Sequence, residues 1–447
     1  MRRVDRLRGR RTIYKNVPSC TNLDFNCYVT GDAMLPPVLE IYVVWHPDDT
    51  AGRDIALEIV DHFHGTAFTG LIGGAVEVFV RSEGWSGAGS APRPVFTPAA
   101  PPPNGVAAAM FTAVVPILGI ELAAAVEDGG PWQTYLRDIV AAHCADKDRV
   151  GLFSYGLSMS ATDGTQLSRI VGAQQTIAAN RGVGADEDKK GARCRDLAQA
   201  LAQFVAGNTR AQLTAFISHT KRSSTAETAE VSALVELVRN VVATTHLKDF
   251  FDARDLQPGS DWAADLVANA GNGALLALRT DLYPSREWCQ REILVAKRSG
   301  IPVVVLDGLG YGEERGSFLM DHVPRTPVRA IAAEWSRRDV YRALNMLVDE
   351  CLKRALWKRQ QELAASQPNL GVSWWAAHAP EPVTLIQWLE EERAKNSLPA
   401  QGPIRILHPD PPLGTDEKAV LAQILAYGGK TGTLDVMTPR QLASRGG

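Results

Sequence analysis

The sequence predicts an α/β protein built on mostly parallel sheets, arranged as two successive α/β units. Three observations carry that expectation. Apolar, β-branched runs bounded by turn residues alternate with amphipathic stretches at helical spacing, as in a parallel sheet covered by helices. Some of those runs, Ala113–Leu118 and Pro302–Leu306 above all, have no polar face, as strands buried on both sides do not. The pattern also occurs twice, each time over roughly 150 residues, an ordinary domain size.

In the first alternation, Leu39–Trp45 is β-branched and aromatic and reads as a strand. Arg53–His64 has apolar residues at helical spacing (Ile55, Ile59, Val60, Phe63), and Ala75–Val80 is a second strand. The Pro/Gly/Ser/Ala-rich stretch Ser86–Gly105 reads as a surface loop. A strand at Val114–Leu118, a helix at Trp132–Cys144 and a strand at Val150–Phe153 complete the unit. Charged residues at Ala185–Lys190 mark a boundary, followed by a helix over Ala192–Ala206.

The second alternation is cleaner. It runs through a strand at Leu213–Ser218, a helix at Thr228–Val242, a strand at His246–Phe251 and a loop at Asp252–Asp261. A helical piece at Trp262–Ala268, a strand at Ala274–Leu278, a helix at Ser285–Ser299 and the strand Pro302–Leu306 follow. A helix over Arg338–Ala365 closes the unit. The remainder, Trp- and Pro-rich, reads as a short helical and irregular tail. The expected organisation is a flexible basic terminus at 1–37, α/β units at 38–184 and 211–365, a linker with a helix at 185–210, and an extension at 366–447.

Composition excludes several classes. The chain has 447 residues, 45% of them hydrophobic and 22% charged, which is ordinary globular usage. A net charge of -3 lacks the basic surplus that phosphate backbones require, so no direct nucleic-acid partner is expected. The 6 cysteines are scattered without a C-x-x-C pair, and the 9 histidines lack ligand spacing. Reduced thiols, no metal and a cytoplasmic setting are the expectation. The start, MRRVDRLRGRR, lacks the apolar core of a secretory signal. The nearly uncharged stretch Val106–Val126 contains Pro116 and Glu121 and reads as a buried strand, so no membrane partner is expected.

In a parallel sheet, ligands bind beyond the carboxyl ends of the strands. In the second unit that rule gathers Ser218–Lys221, Phe251–Asp261 and Thr280–Glu292. Ser285 is a plausible N-cap after Pro284, with Glu287 in the first turn. Ser285, Trp288 and Glu292 share one helix face that continues through Val295 and Ala296. A carboxylate on such a face must be paired, hydrogen-bonded or functional. Periodicity leaves a structural salt bridge and a catalytic role for Glu292 both open.

These same residues resemble a TIR (Toll/interleukin-1 receptor) domain. The matching pieces are Phe216-Ile-Ser-His219, the loop Phe251-Asp-Ala-Arg-Asp-Leu-Gln-Pro-Gly259, Tyr283-Pro-Ser-Arg-Glu-Trp-Cys-Gln-Arg-Glu292 and Gly300-Ile-Pro-Val-Val-Val305. The resemblance covers about residues 211–355. It implies a flavodoxin-like parallel sheet and cleavage of NAD+ at the nicotinamide–ribose bond, with Glu292 as the catalytic carboxylate. It further implies Ser218, His219, Phe251, Asp252, Arg254, Ser285 and Trp288 as substrate-binding residues, and Leu256, Pro258 and Gly259 as an assembly loop. NAD+ is then a substrate, with no cofactor and no metal.

The first unit is similar to a degenerate TIR-like fold. Tyr42–His46 stands in for the strand motif, and Leu136 lies four residues after Trp132, as Glu292 does after Trp288. The first unit is therefore expected to be inactive. The tail, through Arg405–Leu413 and Thr438–Leu442, weakly resembles the lead-in to nucleotide-sensing SLOG-type domains. What the resemblance implies overall is an NAD+ glycohydrolase of bacterial antiphage defence, switched on when TIR–TIR contacts build a homo-oligomer or filament. A nucleotide signal or a protein would be the trigger. The alternatives are a non-catalytic TIR adaptor and a cyclase that releases a cyclic ADP-ribose-type signal. No G-x-G-x-x-G opens a helix after a strand, which argues against a Rossmann dehydrogenase.

Overall fold

The computed structural model describes residues 37–65, 68, 76–87, 89–103, 107–172, 177–178, 187–209, 211–220, 225–250, 266–268, 272–313, 316–331, 334–365, 371–397, 402–409, 411–428 and 433–444. The protein is α/β throughout this range.

The first unit comprises β1 (Leu39–Val44), α1 (Thr50–Phe63), β2 (Val76–Arg81), β3 (Phe111–Leu118), α2 (Ile120–Glu127) and α3 (Pro131–Ala145). Next come β4 (Val150–Leu152), β5 (Tyr155–Gly156), α4 (Met159–Thr162), α5 (Gln166–Val171) and β6 (Ile177–Ala178). Every pairing is parallel, and β4 and β5 lie in line along β3 as one interrupted strand. The order is β2-β1-β3-(β4/β5)-β6. The apolar stretch Val106–Val126 resolves into the fully buried β3 and the short helix α2. Among the described residues, no helix is long and apolar enough to cross a membrane.

Helix α6 (Lys189–Ala206) begins at Asp188, whose carboxylate accepts from the N–H groups of Lys190 and Gly191. It ends at Gly207 with φ 74°. The second unit then runs β7 (Thr214–Ser218), α7 (Thr225–Val242), β8 (Lys248–Phe250), β9 (Gly273–Arg279), α8 (Glu287–Arg298), β10 (Val303–Asp307) and β11 (Arg325–Pro327). After the small hairpin β12 (Ala330–Ile331) and β13 (Glu334–Trp335), the long helix α9 (Arg337–Ala365) completes it. Its sheet is also wholly parallel, ordered β8-β7-β9-β10-β11. Numbered within its own unit, each sheet has the order 2-1-3-4-5. The repeated alternation thus extends to strand order.

The segment expected to be a linker with a helix carries much of the core. Helix α6 packs along α9, and Leu197, Leu201 and Phe204 join Leu344, Leu347 and Leu352 in one apolar cluster. That cluster reaches strand residues of both sheets, among them Ile41, Val115, Leu276 and Val304. Arg195 inside it is 1% exposed and is held by Glu187 at 2.6 Å and Asn345 at 3.2 Å. Helices α1, α6, α7 and α9 therefore form a shared layer between the sheets. The outer faces are covered separately, by α2, α3 and α5 on the first sheet and α8 on the second.

The tail expectation is corrected. Residues 374–444 form a three-stranded parallel sheet, β14 (Trp374–Trp375), β15 (Ile404–Leu407) and β16 (Leu434–Met437). Helices α10 (Pro382–Ala394), α11 (Thr415–Tyr427) and α12 (Pro439–Ser444) follow the strands in turn. Leu385, Leu389, Ile404, Ile406, Leu421 and Leu425 give it a core of its own. Trp374 and Trp388 stack beside that core at 5.2 Å, nearly parallel.

Candidate functional site

Strand order reverses between β7 and β9 in the second sheet, which is where a parallel sheet opens a crevice at its carboxyl edge. Ser218 is the last residue of β7 and pairs in register with Ala277 of β9. Its side chain faces the neighbouring helix and is buried, 2% exposed. Beyond β9, Tyr283–Ser285 form a 3-10 turn before α8 begins. The turn brings the Tyr283 hydroxyl to 2.5 Å from Ser218 Oγ.

Helix α8 buries Cys289, Glu292, Ile293, Ala296 and Lys297. Glu292 is 4% exposed, as the periodicity of its helix face requires. Its Oε2 accepts from Ser218 Oγ, and its Oε1 accepts from Trp288 Nε1 at 2.5 Å. Burial, reinforced by nearby Cys289 and Glu292, holds the Tyr283 phenol well above its usual range, so it keeps its proton. Ser218 has one proton and gives it to Glu292, which leaves Tyr283 as donor to Ser218. The result is a directed chain of hydrogen bonds, Tyr283 to Ser218 to Glu292, with Trp288 donating from the other side.

Trp288 is 43% exposed, with its ring toward solvent and its N–H turned inward. The Arg291 guanidinium lies 5.7 Å from that ring's centre. His219, just beyond β7, has Nδ1 at 2.9 Å from the Thr220 carbonyl oxygen. Cys289 is 2% exposed and points its thiol at the His219 carbonyl, filling a small space beneath the site.

The structure therefore brings Ser218, Trp288 and Glu292 together, with His219 adjacent. Ser285 is corrected: it is exposed, its hydroxyl donates to the Leu282 carbonyl at 2.8 Å, and it does not cap α8. The cap position belongs to Arg286, which makes no side-chain capping bond. Pro284 favours the 3-10 turn and so moves the helix start two residues on. Phe251, Asp252, Arg254, Leu256, Pro258 and Gly259 lie outside the described residues. Tyr283 was not among the expected site residues; its place in the same motif as Glu292 was the only signal for it.

A second set of bonds shapes the same edge of the sheet. Asp281 accepts from the N–H groups of Gly310 and Tyr311 at 2.9 Å each and of Gly312 at 3.3 Å, fixing the loop after β10. Arg279 pairs with Glu313 and with Asp307, the latter at 3.3 Å. Two cavities are present elsewhere, one at the C-terminal end of α8 and one between α6 and α9; neither is lined by Glu292.

The first unit presents no matching carboxylate at the expected position. Trp132 and Leu136 of α3 are 5% and 1% exposed and sit in an apolar cluster with Tyr42, Val114 and Leu152. At the reversal of that sheet, Gly119 lies against the capping residue of α1: a Cβ there would meet Asp49 Oδ2 at 1.6 Å. Asp138, the acidic residue two positions after Leu136 on the same helix, is exposed. Comparison with protein families, curated proteins and solved structures finds no match for this chain.

Proposed function

We propose that the second unit is a TIR-type domain that cleaves NAD+ at the nicotinamide–ribose bond, with Glu292 as the acting carboxylate. The observation that carries this reading is the placement of Glu292. It is a buried carboxylate at the carboxyl edge of a parallel sheet, beside the reversal between β7 and β9, oriented by Ser218 and Trp288. The order 2-1-3-4-5 is that of flavodoxin-like sheets, and the residues at this edge are those that resemble the TIR motifs.

The chemistry suits the arrangement. When the bond breaks, nicotinamide leaves as a neutral molecule with the bonding electron pair, and positive charge develops on the ribose. A fixed carboxylate stabilises that charge at no cost of reorganisation. Water then adds to the sugar carbon and loses a proton, giving ADP-ribose. A carboxylate is an acceptor-only group, the type that a ribose hydroxyl donates to. The exposed face of Trp288 offers a surface for a planar group. Assembly through TIR–TIR contacts is the proposed switch, and the first unit serves assembly or regulation.

The alternative reading is a non-catalytic TIR scaffold. Product chromatography after incubation with NAD+ separates the two. Free nicotinamide with ADP-ribose, absent from Glu292→Gln, supports the hydrolase, and a cyclic product in place of ADP-ribose supports the cyclase. An unchanged NAD+ pool at all protein concentrations supports the scaffold.

A further inference from the structure

The C-terminal end of α8 and the third sheet enclose a cavity of about 220 Å³, whose wall includes Lys297, Gly300, Arg354, His378, Glu381 and Trp388. Lys297 and Glu381 neutralise each other at 2.6 Å, and Lys297 also donates to the Asp321 carbonyl at 2.7 Å. Arg354 differs. Its Nη1 is buried without a hydrogen-bond partner, and among the described residues no carboxylate pairs with the guanidinium. Burial lowers its pKa, the mark of a cation held away from water without compensation. Gly300 secures its position. With φ 63° at the end of α8, it leaves room where a Cβ would meet Arg354 Nη2 at 2.5 Å.

His378, beside Arg354 in the wall, brings no compensating charge. Its Nε2 is buried without a partner, while the imidazole also hydrogen-bonds the backbone of Ile301. Burial, then the charges of Arg354 and Lys297, push its pKa down to about 3, so the ring is neutral. Glu391, the other carboxylate of the wall, is exposed and accepts from the Gln387 amide at 2.6 Å. A buried guanidinium without a counter-ion is costly, and its planar fork matches the oxygens of a phosphate. The backbone dipole at a helix end tolerates a cation but does not fill a missing acceptor.

We infer that this cavity binds a small phosphorylated molecule, with its phosphate on the Arg354 guanidinium. The volume is below the range usual for drug-sized ligands, which selects a sugar phosphate over a dinucleotide. The inference does not rest on the role of Glu292, which lies nearer the start of α8.

Thermal melting of the full chain tests it, with ribose 5-phosphate, inorganic phosphate, ribose and citrate as separate additions. Ribose 5-phosphate is expected to raise the melting temperature saturably and more than inorganic phosphate, with ribose and citrate leaving it unchanged. Arg354→Met is expected to abolish the shift without lowering the ligand-free melting temperature, because it removes an uncompensated buried charge. The assignment is overturned if ribose 5-phosphate produces no shift, if citrate matches it, or if Arg354→Met keeps the shift. A ligand-free Arg354→Met that melts well below the parent would make the guanidinium a structural prop and would also overturn it.

Discussion

Trp288 donates its indole N–H to Glu292 Oε1 at 2.5 Å, across one turn of the same helix, while its ring remains 43% exposed. Residues four apart on a helix face each other, so the bond follows from local geometry once α8 forms. It ties a solvent-facing ring to a buried carboxylate. The Tyr283–Ser218 chain fixes the other carboxylate oxygen from the sheet side.

Trp288→Phe keeps an aromatic ring and removes the donor. A hydrogen bond to a charged group contributes about 1.5–3 kcal/mol. NAD+ consumption by Trp288→Phe should fall about tenfold or more, and further in Trp288→Ala, in steady-state assays at fixed protein concentration. Full activity in Trp288→Phe would remove the indole N–H from the account.

Ser218→Ala leaves the buried Tyr283 hydroxyl without its partner and takes a donor from Glu292. The expected loss of stability is about 2–3 kcal/mol. Adding Tyr283→Phe removes the stranded hydroxyl, so the double variant should be destabilised by less than the sum of the two singles. Urea midpoints of the four proteins measure this coupling; strict additivity would break the proposed chain.

His408 supplies a prediction about pH. It is fully buried, its Nδ1 is 2.7 Å from the Pro409 carbonyl oxygen, and burial lowers its pKa to about 4. A depressed folded-state value means the unfolded chain takes up the proton first. The contribution of His408 is therefore complete above pH 6.5 and is lost as pH falls toward 4, by roughly 3 kcal/mol. Melting of the parent and of His408→Asn between pH 7 and pH 4 should show a flatter profile for the variant. Parallel profiles would contradict it.

Much of the fold was legible because long β-branched runs can only be buried strands. Val303–Asp307 and Phe111–Leu118 lie within a residue or three of where the pattern placed them. The third sheet was not legible, since β14 has two residues and β15 and β16 four each, too few to show a period. The burial of α6 was not legible because its charged residues mimic a surface helix: Arg195 and Asp196 are internal through pairing with each other and with Glu187, Asn345 and His246. In the site, the proximity of Glu292 and Trp288 followed from helical spacing. Tyr283 did not, because its bond to Ser218 depends on a turn that links two elements distant in sequence.

The first unit is expected to contribute no chemistry. Leu136→Ala should cost about 2–5 kcal/mol, the usual range for emptying a core site. It should leave the rate of NAD+ loss per folded, assembled molecule unchanged, measured with circular dichroism alongside the assay. A loss of turnover in a protein that stays folded and assembled would place part of the active machinery in the first unit.

The most direct measurement follows NAD+ loss over a dilution series of the full chain and of Glu292→Gln. The account predicts a rate that rises more steeply than protein concentration in the parent and falls by at least about a hundredfold in the variant, as expected when a principal charge stabiliser is removed. Equal NAD+ loss in parent and variant at every concentration would contradict it.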